Sequence, residues 1–135
     1  MIIVDCFTFY NGLDILEIRM NTLTPYVDRF LIVESPFDMN GKQKRLYFDE
    51  NKARFKEFNI VHLIVPDHQQ HMKGIWEPYY YQIYCMKKGL SDLSDDDIVK
   101  LSDFDEIPDM GNYSGQEGSF RQELNYYYLN VITSL

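Results

Sequence analysis

The sequence predicts an α/β fold, with a mostly parallel sheet and flanking helices. Four apolar, β-branched-rich segments, at 2–9, 27–34, 60–65 and 98–101, alternate with segments of helical spacing. Within the second segment the apolar run is continuous instead of alternating, as in a parallel strand covered on both faces. Strands joined in this way take right-handed crossovers and gather ligands at their carboxyl ends.

Taken in order, Ile2 to Phe9 is rich in β-branched and aromatic residues and reads as the first strand, broken by Asn11-Gly12. A helix follows. Asp14 is its expected N-cap, with Glu17 at the third position and Leu13 and Ile18 as a hydrophobic staple. Leu13, Leu16, Met20 and Leu23 recur at helical spacing until Thr24-Pro25 closes the segment. Val27 to Glu34 is the second strand. Residues 35–50 form a loop with Asn40-Gly41 at its tip and Lys42, Lys44 and Arg45 just after. A short helix is expected over Asn51 to Phe58, then a third strand from Ile60 to Val65, stopped by Pro66-Asp67. Residues 75–89 predict an aromatic helix ending at Gly89. The acidic turn Asp95 to Asp97, read as solvated, leads into a fourth strand, Ile98 to Leu101. Beyond Gly111, Gly115 and Gly118, a last helix is expected to carry Phe120, Leu124, Tyr127, Tyr128 and Val131. There is no internal repeat and no linker, so a single domain over 1–135 is expected.

An apolar content of 45% and aromatic content of 16% over 135 residues describe a globular chain with a real core. The formal net charge of -8 argues against nonspecific binding to nucleic acid or to an anionic membrane, both of which need basic surface. Cys6 and Cys85 lie far apart in apolar stretches and read as buried thiols of a reducing compartment. No C-x-x-C pair points to zinc or redox chemistry. No run is long enough to span a bilayer, and the first strand, with Asp5 inside it, does not resemble a signal peptide. A cytoplasmic protein without membrane insertion is expected.

The chemistry concentrates after the fourth strand, in Ser102-Asp-Phe-Asp-Glu-Ile-Pro108. Asp103, Asp105 and Glu106 crowd one turn, and Pro108 stiffens the loop that holds them. Two carboxylates converging at a strand end suit a hard divalent cation, Mn2+ or Mg2+, which keeps positions open for substrate phosphates. Alone, an Asp-x-Asp is more often an acidic surface turn. Here Glu34, Asp67, Asp103 and Asp105 all fall at expected strand ends, which favours a site.

Several motifs in chain order resemble glycosyltransferase family 17, the β-1,4-mannosyl-glycoprotein 4-β-N-acetylglucosaminyltransferase-like family. They are Asp5-Cys-Phe-Thr-Phe-Tyr-Asn11, Leu13-Asp-Ile-Leu-Glu-Ile-Arg19, Val33-Glu-Ser35, Gly41-Lys42 with Lys44, and Leu46-Tyr-Phe48. Glu50-Asn51, Arg54-Phe55 and Asp95 through Pro108 complete the series. The resemblance covers almost the whole chain. It implies a shortened A-type glycosyltransferase domain, the donor-binding part of a longer architecture whose acceptor-binding half supplies the inverting base. The implied activity is metal-dependent inverting transfer from a UDP-sugar, UDP-GlcNAc by analogy, to a glycan acceptor.

In that reading Asp105 binds the metal directly, and Asp103 meets the ribose or metal-bound water. Glu34 reads nucleotide, and Lys42 and Lys44 reach phosphate or acceptor. Trp76, Glu77, Tyr79 and Gln82 are candidates for a sugar pocket, and Glu106 is either a neighbour of the metal or a loop anchor. One departure is that Gln82-Ile83 stands where the family pattern has Gln-Arg. His62 is expected to be structural, and His68 and His71 to lie in a loop. The competing reading is a non-catalytic nucleotide-sugar or carbohydrate-binding module. A homodimer supplying missing walls would favour the enzyme. A haloacid-dehalogenase-like phosphohydrolase is disfavoured, because Phe7 stands where its second Asp belongs.

Overall fold

The computed structural model describes residues 1–66 and 77–113, with 115, 118, 124–125 and 132–133 beyond them. Its centre is a four-stranded sheet of β1 (Ile3–Phe9), β2 (Arg29–Glu34), β3 (Ile60–Ile64) and β4 (Ile98–Leu101). The strand order is β3-β2-β1-β4, and every pairing is parallel. This is the expected α/β architecture. The chain runs outward from β1 through β2 to β3, then crosses back to place β4 on the other side of β1.

Side-chain alternation splits the core into two layers. Phe7 and Phe9 of β1, with Phe30 and Ile32 of β2, pack on Leu16, Met20 and Leu23 of α1 (Leu13–Leu23). Phe48, in α2 (Tyr47–Asn51), and Phe55, in the 3-10 turn that follows, complete that layer. On the opposite face Val4, Cys6, Leu31 and Val33 meet Cys85 and Met86, at the end of α3 (Glu77–Cys85) and the start of its 3-10 extension. Coverage of both faces explains the continuous apolarity of β2, where Phe30 to Glu34 are all buried. Both cysteines are buried thiols, and burial pushes Cys6 up to about 12.

Several expectations are corrected. The N-cap of α1 is Gly12, in the left-handed conformation, and it makes no side-chain cap. Asp14 instead lies in the first turn and pairs with Arg54 at 2.9 Å. A carboxylate there still complements the helix dipole. The staple is not formed, because Ile18 is 58% exposed on the outer face. The second helix starts at Tyr47, earlier than expected, because Glu34 caps it from inside the sheet. Leu124–Asn125, expected in a last helix, is a short strand, β5, antiparallel to Ile132–Thr133, β6. Tyr and Phe side chains spaced for a helix serve a strand equally well, so tertiary context decides. The rest of that segment, Phe120 included, lies outside the described residues. So do Asp67, His68, His71 and Trp76.

The acidic turn before β4 is more than solvated surface. Asp97 accepts the Ile2 amide at 2.7 Å and the Ser94 amide at 2.8 Å, tying the entry of β4 to the start of β1. Asp95 and Asp96 are exposed, as expected. Among the described residues no helix is long and apolar enough to cross a membrane.

The difference between the two faces of α1 has a measurable consequence. Leu16→Ala should lower unfolding free energy by about 2–5 kcal/mol, whereas Ile18→Ala should stay within about 0.5 kcal/mol. Urea titration of both variants checks this, and equal losses would restore the staple.

Candidate functional site

In open parallel sheets the crevice opens where successive connections leave in opposite directions, outside the carboxyl ends of the strands. Here that point lies between β1 and β4. The loop after β1, Tyr10 to Gly12, and the turn after β4, Ser102 to Glu106, therefore face each other. Their contact is direct: the Phe104 ring stands edge-on to Phe9, centroids 5.5 Å apart. Gly12 has φ 115°, and a Cβ there would fall 3.1 Å from the Phe104 ring. Glycine meets both requirements, the left-handed backbone and the close approach.

The turn itself is a short hydrogen-bonded reversal, with the Glu106 amide donating to the Asp103 carbonyl at 3.0 Å. The Glu106 carboxylate accepts the Asp103 amide at 3.4 Å, and the Ser102 hydroxyl donates to the Glu106 carbonyl at 3.1 Å. These contacts match the loop-anchor reading of Glu106. Asp103, Asp105 and Glu106 are all exposed. Asp103 Oδ1 accepts the Tyr79 hydroxyl at 3.0 Å, reaching across from α3. Burial and that hydrogen bond push the Tyr79 phenol up to about 12, so it stays a neutral donor at ordinary pH. Among the described residues, Asp105 makes no hydrogen bond or ion pair. Its carboxylate is free for a ligand.

Beneath the turn lies a buried charge cluster that sequence reasoning missed. Arg19 and Asp5, both fully buried, form a two-pronged ion pair with Nε and Nη2 each 2.8 Å from a carboxylate oxygen. Nη2 also donates to Ser102 Oγ at 2.7 Å. Nη1 donates to the carbonyls of Asp103, Phe104 and Glu106 at 2.8, 3.2 and 3.0 Å. The guanidinium stacks on the Phe7 ring, 4.6 Å from its centroid. Lys100, buried on β4, approaches Asp5 at 3.5 Å, and burial lowers its pKa against the pull of Asp5. A signal for this cluster was present: Asp5 interrupts an apolar strand, and Arg19 sits on the apolar stripe between Leu16 and Met20. Two opposite charges in two buried segments predict a pair.

The other expected residues are placed less directly. Glu34 is fully buried; its oxygens accept the Phe48 amide at 2.8 Å and the Asp49 amide at 3.2 Å, and His62 Nε2 lies 3.1 Å away. That geometry makes Glu34 the anchor of α2 and gives His62 the structural role expected of it. Lys42 is exposed. Lys44 is partly buried, its Nζ 4.8 Å from the Tyr10 ring centroid and 5.8 Å from that of Tyr47, and burial lowers its pKa. It thus sits beside the end of β1. Glu77 is exposed on the first turn of α3 and Gln82 is half-buried; Tyr79 is the α3 residue that touches the turn.

Residues 2–113 match the model of glycosyltransferase family 17. The chain belongs to that family. This family 17 glycosyltransferase carries its Asp-x-Asp turn, the loop after β1 and the Glu34 anchor all within the matched segment. The family implies a nucleotide-sugar donor and a glycan acceptor. No curated protein and no solved structure matched the chain.

Two measurements test this geometry. Gly12→Ala should cost about 1–2 kcal/mol for the left-handed backbone, plus displacement of Phe104, read as a lower denaturation midpoint. An unchanged midpoint would mean that the loop is not held as described. For Tyr79, whose folded pKa lies above the ordinary phenol value of 10.0, the stabilising contribution is complete below pH 10 and disappears as pH rises toward 12. Tyr79→Phe should therefore flatten the fall of stability over that alkaline window, followed by chemical denaturation at stepped pH. A slope identical to wild type would count against the Tyr79–Asp103 bond.

Proposed function

We propose that this glycosyltransferase is a metal-dependent, inverting enzyme. It would take a UDP-sugar, with UDP-GlcNAc the implied donor, at the carboxyl ends of β1 and β4. The observation that carries the reading is the pair Asp103 and Asp105, exposed on a turn pinned from below at the switch point of the sheet. An acidic surface loop needs no buried arginine to hold three of its carbonyls.

The donor set suits Mn2+ or Mg2+. Asp105 offers an unengaged carboxylate, and Asp103 keeps one oxygen free of the Tyr79 bond. Among the described residues no group of three or more His, Cys, Asp or Glu side chains gathers to hold an ion. Asp103 and Asp105 would hold such a cation, which would share its remaining positions with the substrate. Such a cation, when bound, supplies Lewis-acid stabilisation of the departing diphosphate.

The chain's own residues do the positioning. Tyr79 fixes one oxygen of Asp103 and leaves the other for the donor side. Lys44, held against Tyr10 and Tyr47, brings a cation to the β1 side of the crevice, and Lys42 extends from the same loop. Glu34 acts through α2, by fixing the base of that loop. Glu77 and Gln82 remain candidates for the sugar side, on the helix that carries Tyr79.

Thermal-shift titration with UDP, UDP-GlcNAc, UDP-glucose and GDP-mannose, with and without Mn2+, tests the proposal. One UDP-sugar at a hundred times its dissociation constant should stabilise the chain by about 2.7 kcal/mol. That stabilisation should require Mn2+ and vanish in Asp105→Ala. No shift with any donor would sink this reading and leave the non-catalytic module.

A further inference from the structure

We propose that Arg19 is a positioning residue for the donor site. One guanidinium sets the path of the Asp103–Glu106 turn and offsets the repulsion among its carboxylates. The inference rests on the reading that Asp103 and Asp105 meet a metal-bound diphosphate, and it adds the residue through which the fold presents them.

Three observations carry it. First, the side chain is saturated. A guanidinium has five N–H groups in a fixed fork. Nε and one N–H of Nη2 serve Asp5, the other Nη2 hydrogen serves Ser102, and Nη1 is shared among three turn carbonyls. With those carbonyls gathered inward, the carboxylates of Asp103, Asp105 and Glu106 are left exposed.

Second, stability alone does not call for this arrangement. A buried ion pair carries a large desolvation cost, and apolar residues of similar volume often serve a core as well or better. The pair at Asp5 and Arg19 is completely buried, yet three of the arginine's six hydrogen bonds go to backbone outside the sheet. That is where a presenting device would send them.

Third, the charges balance in the useful direction. The Arg19 guanidinium is always charged and sits with Nη1 on three carbonyls of a turn bearing three carboxylates. That attraction acts before any cation binds. The turn can keep its acids together without a metal.

The test separates charge from geometry. Arg19→Lys keeps a cation beside Asp5, but a single ammonium cannot span Asp5, Ser102 and three carbonyls. Arg19→Met removes the charge and leaves Lys100 as the partner of Asp5. Amide hydrogen exchange of the full chain, without ligand, reads the turn through the Glu106 amide. Electron paramagnetic resonance of free Mn2+ in the presence of UDP reads the site.

Both variants should exchange faster across 102–106 while the β1 and β2 amides of Arg19→Lys keep wild-type protection. Mn2+–UDP affinity should fall by about 10–100-fold in Arg19→Lys, the usual loss when a residue orienting a ligand is removed. Wild-type exchange and affinity in Arg19→Lys would overturn the proposal. Uniform loss of protection over the whole sheet would also overturn it, because Arg19 would then be a stability element only. If wild type itself fails to bind Mn2+–UDP while Arg19→Lys still frees 102–106, the donor reading falls and the positioning role stands.

Discussion

The contact between Asp5 and Arg19 is the constraint on which the site depends. It joins three pieces of chain distant in sequence: the middle of β1, the outward course of α1, and the turn after β4. Breaking a buried pair by removing one partner typically costs about 3–5 kcal/mol, a large share of the stability of a domain this size. The surface pairs are of another kind. Arg45 with Glu50, and Arg54 with Asp14 and Glu17, are solvent-screened and contribute little. They trim the outside of the fold; Asp5 and Arg19 decide how the turn after β4 is held.

A second device of the same type stands one strand away. Glu34, the last residue of β2, is also a buried carboxylate, and it accepts two amides from the first turn of α2. Each buried acid thus organises a loop at the same edge of the sheet. Asp5 works through an arginine on the β4 side, and Glu34 works directly on the loop-to-helix junction that follows Lys42 and Lys44. Aromatic rings fill the spaces between. Phe104 lies on Phe9 and against Gly12, while Tyr10 and Tyr47 flank Lys44. The richness in tyrosine and phenylalanine is used at the site as well as in the core.

Much of this was legible in the sequence because it rests on local rules. Apolar, β-branched-rich segments marked four strands within a residue or two of their ends, and the Leu16, Met20 and Leu23 stripe marked the buried face of α1. Ser102 to Pro108 stood out by charge density, and the structure brings it to the switch point. What failed were features in which two local rules competed. Asp14 and Gly12 both suited the start of α1. The approach of Phe104 selects Gly12, and no rule of sequence spacing contains a ring ninety residues away.

The sequence by itself therefore determined the α/β class, the family and the acidic turn, since each follows from periodicity or from an ordered set of motifs. Tertiary structure alone decided which acids are left exposed and unengaged. Asp5, Glu34, Asp103 and Asp105 are all carboxylates in or beside strands, and nothing in their immediate neighbours separates them. Asp5 and Glu34 are consumed by partners 14 residues downstream, inside a low-dielectric core. Asp103 is half engaged by Tyr79, and Asp105 is exposed on a turn held from behind. A carboxylate becomes a site residue when the fold satisfies everything around it and leaves that one group open.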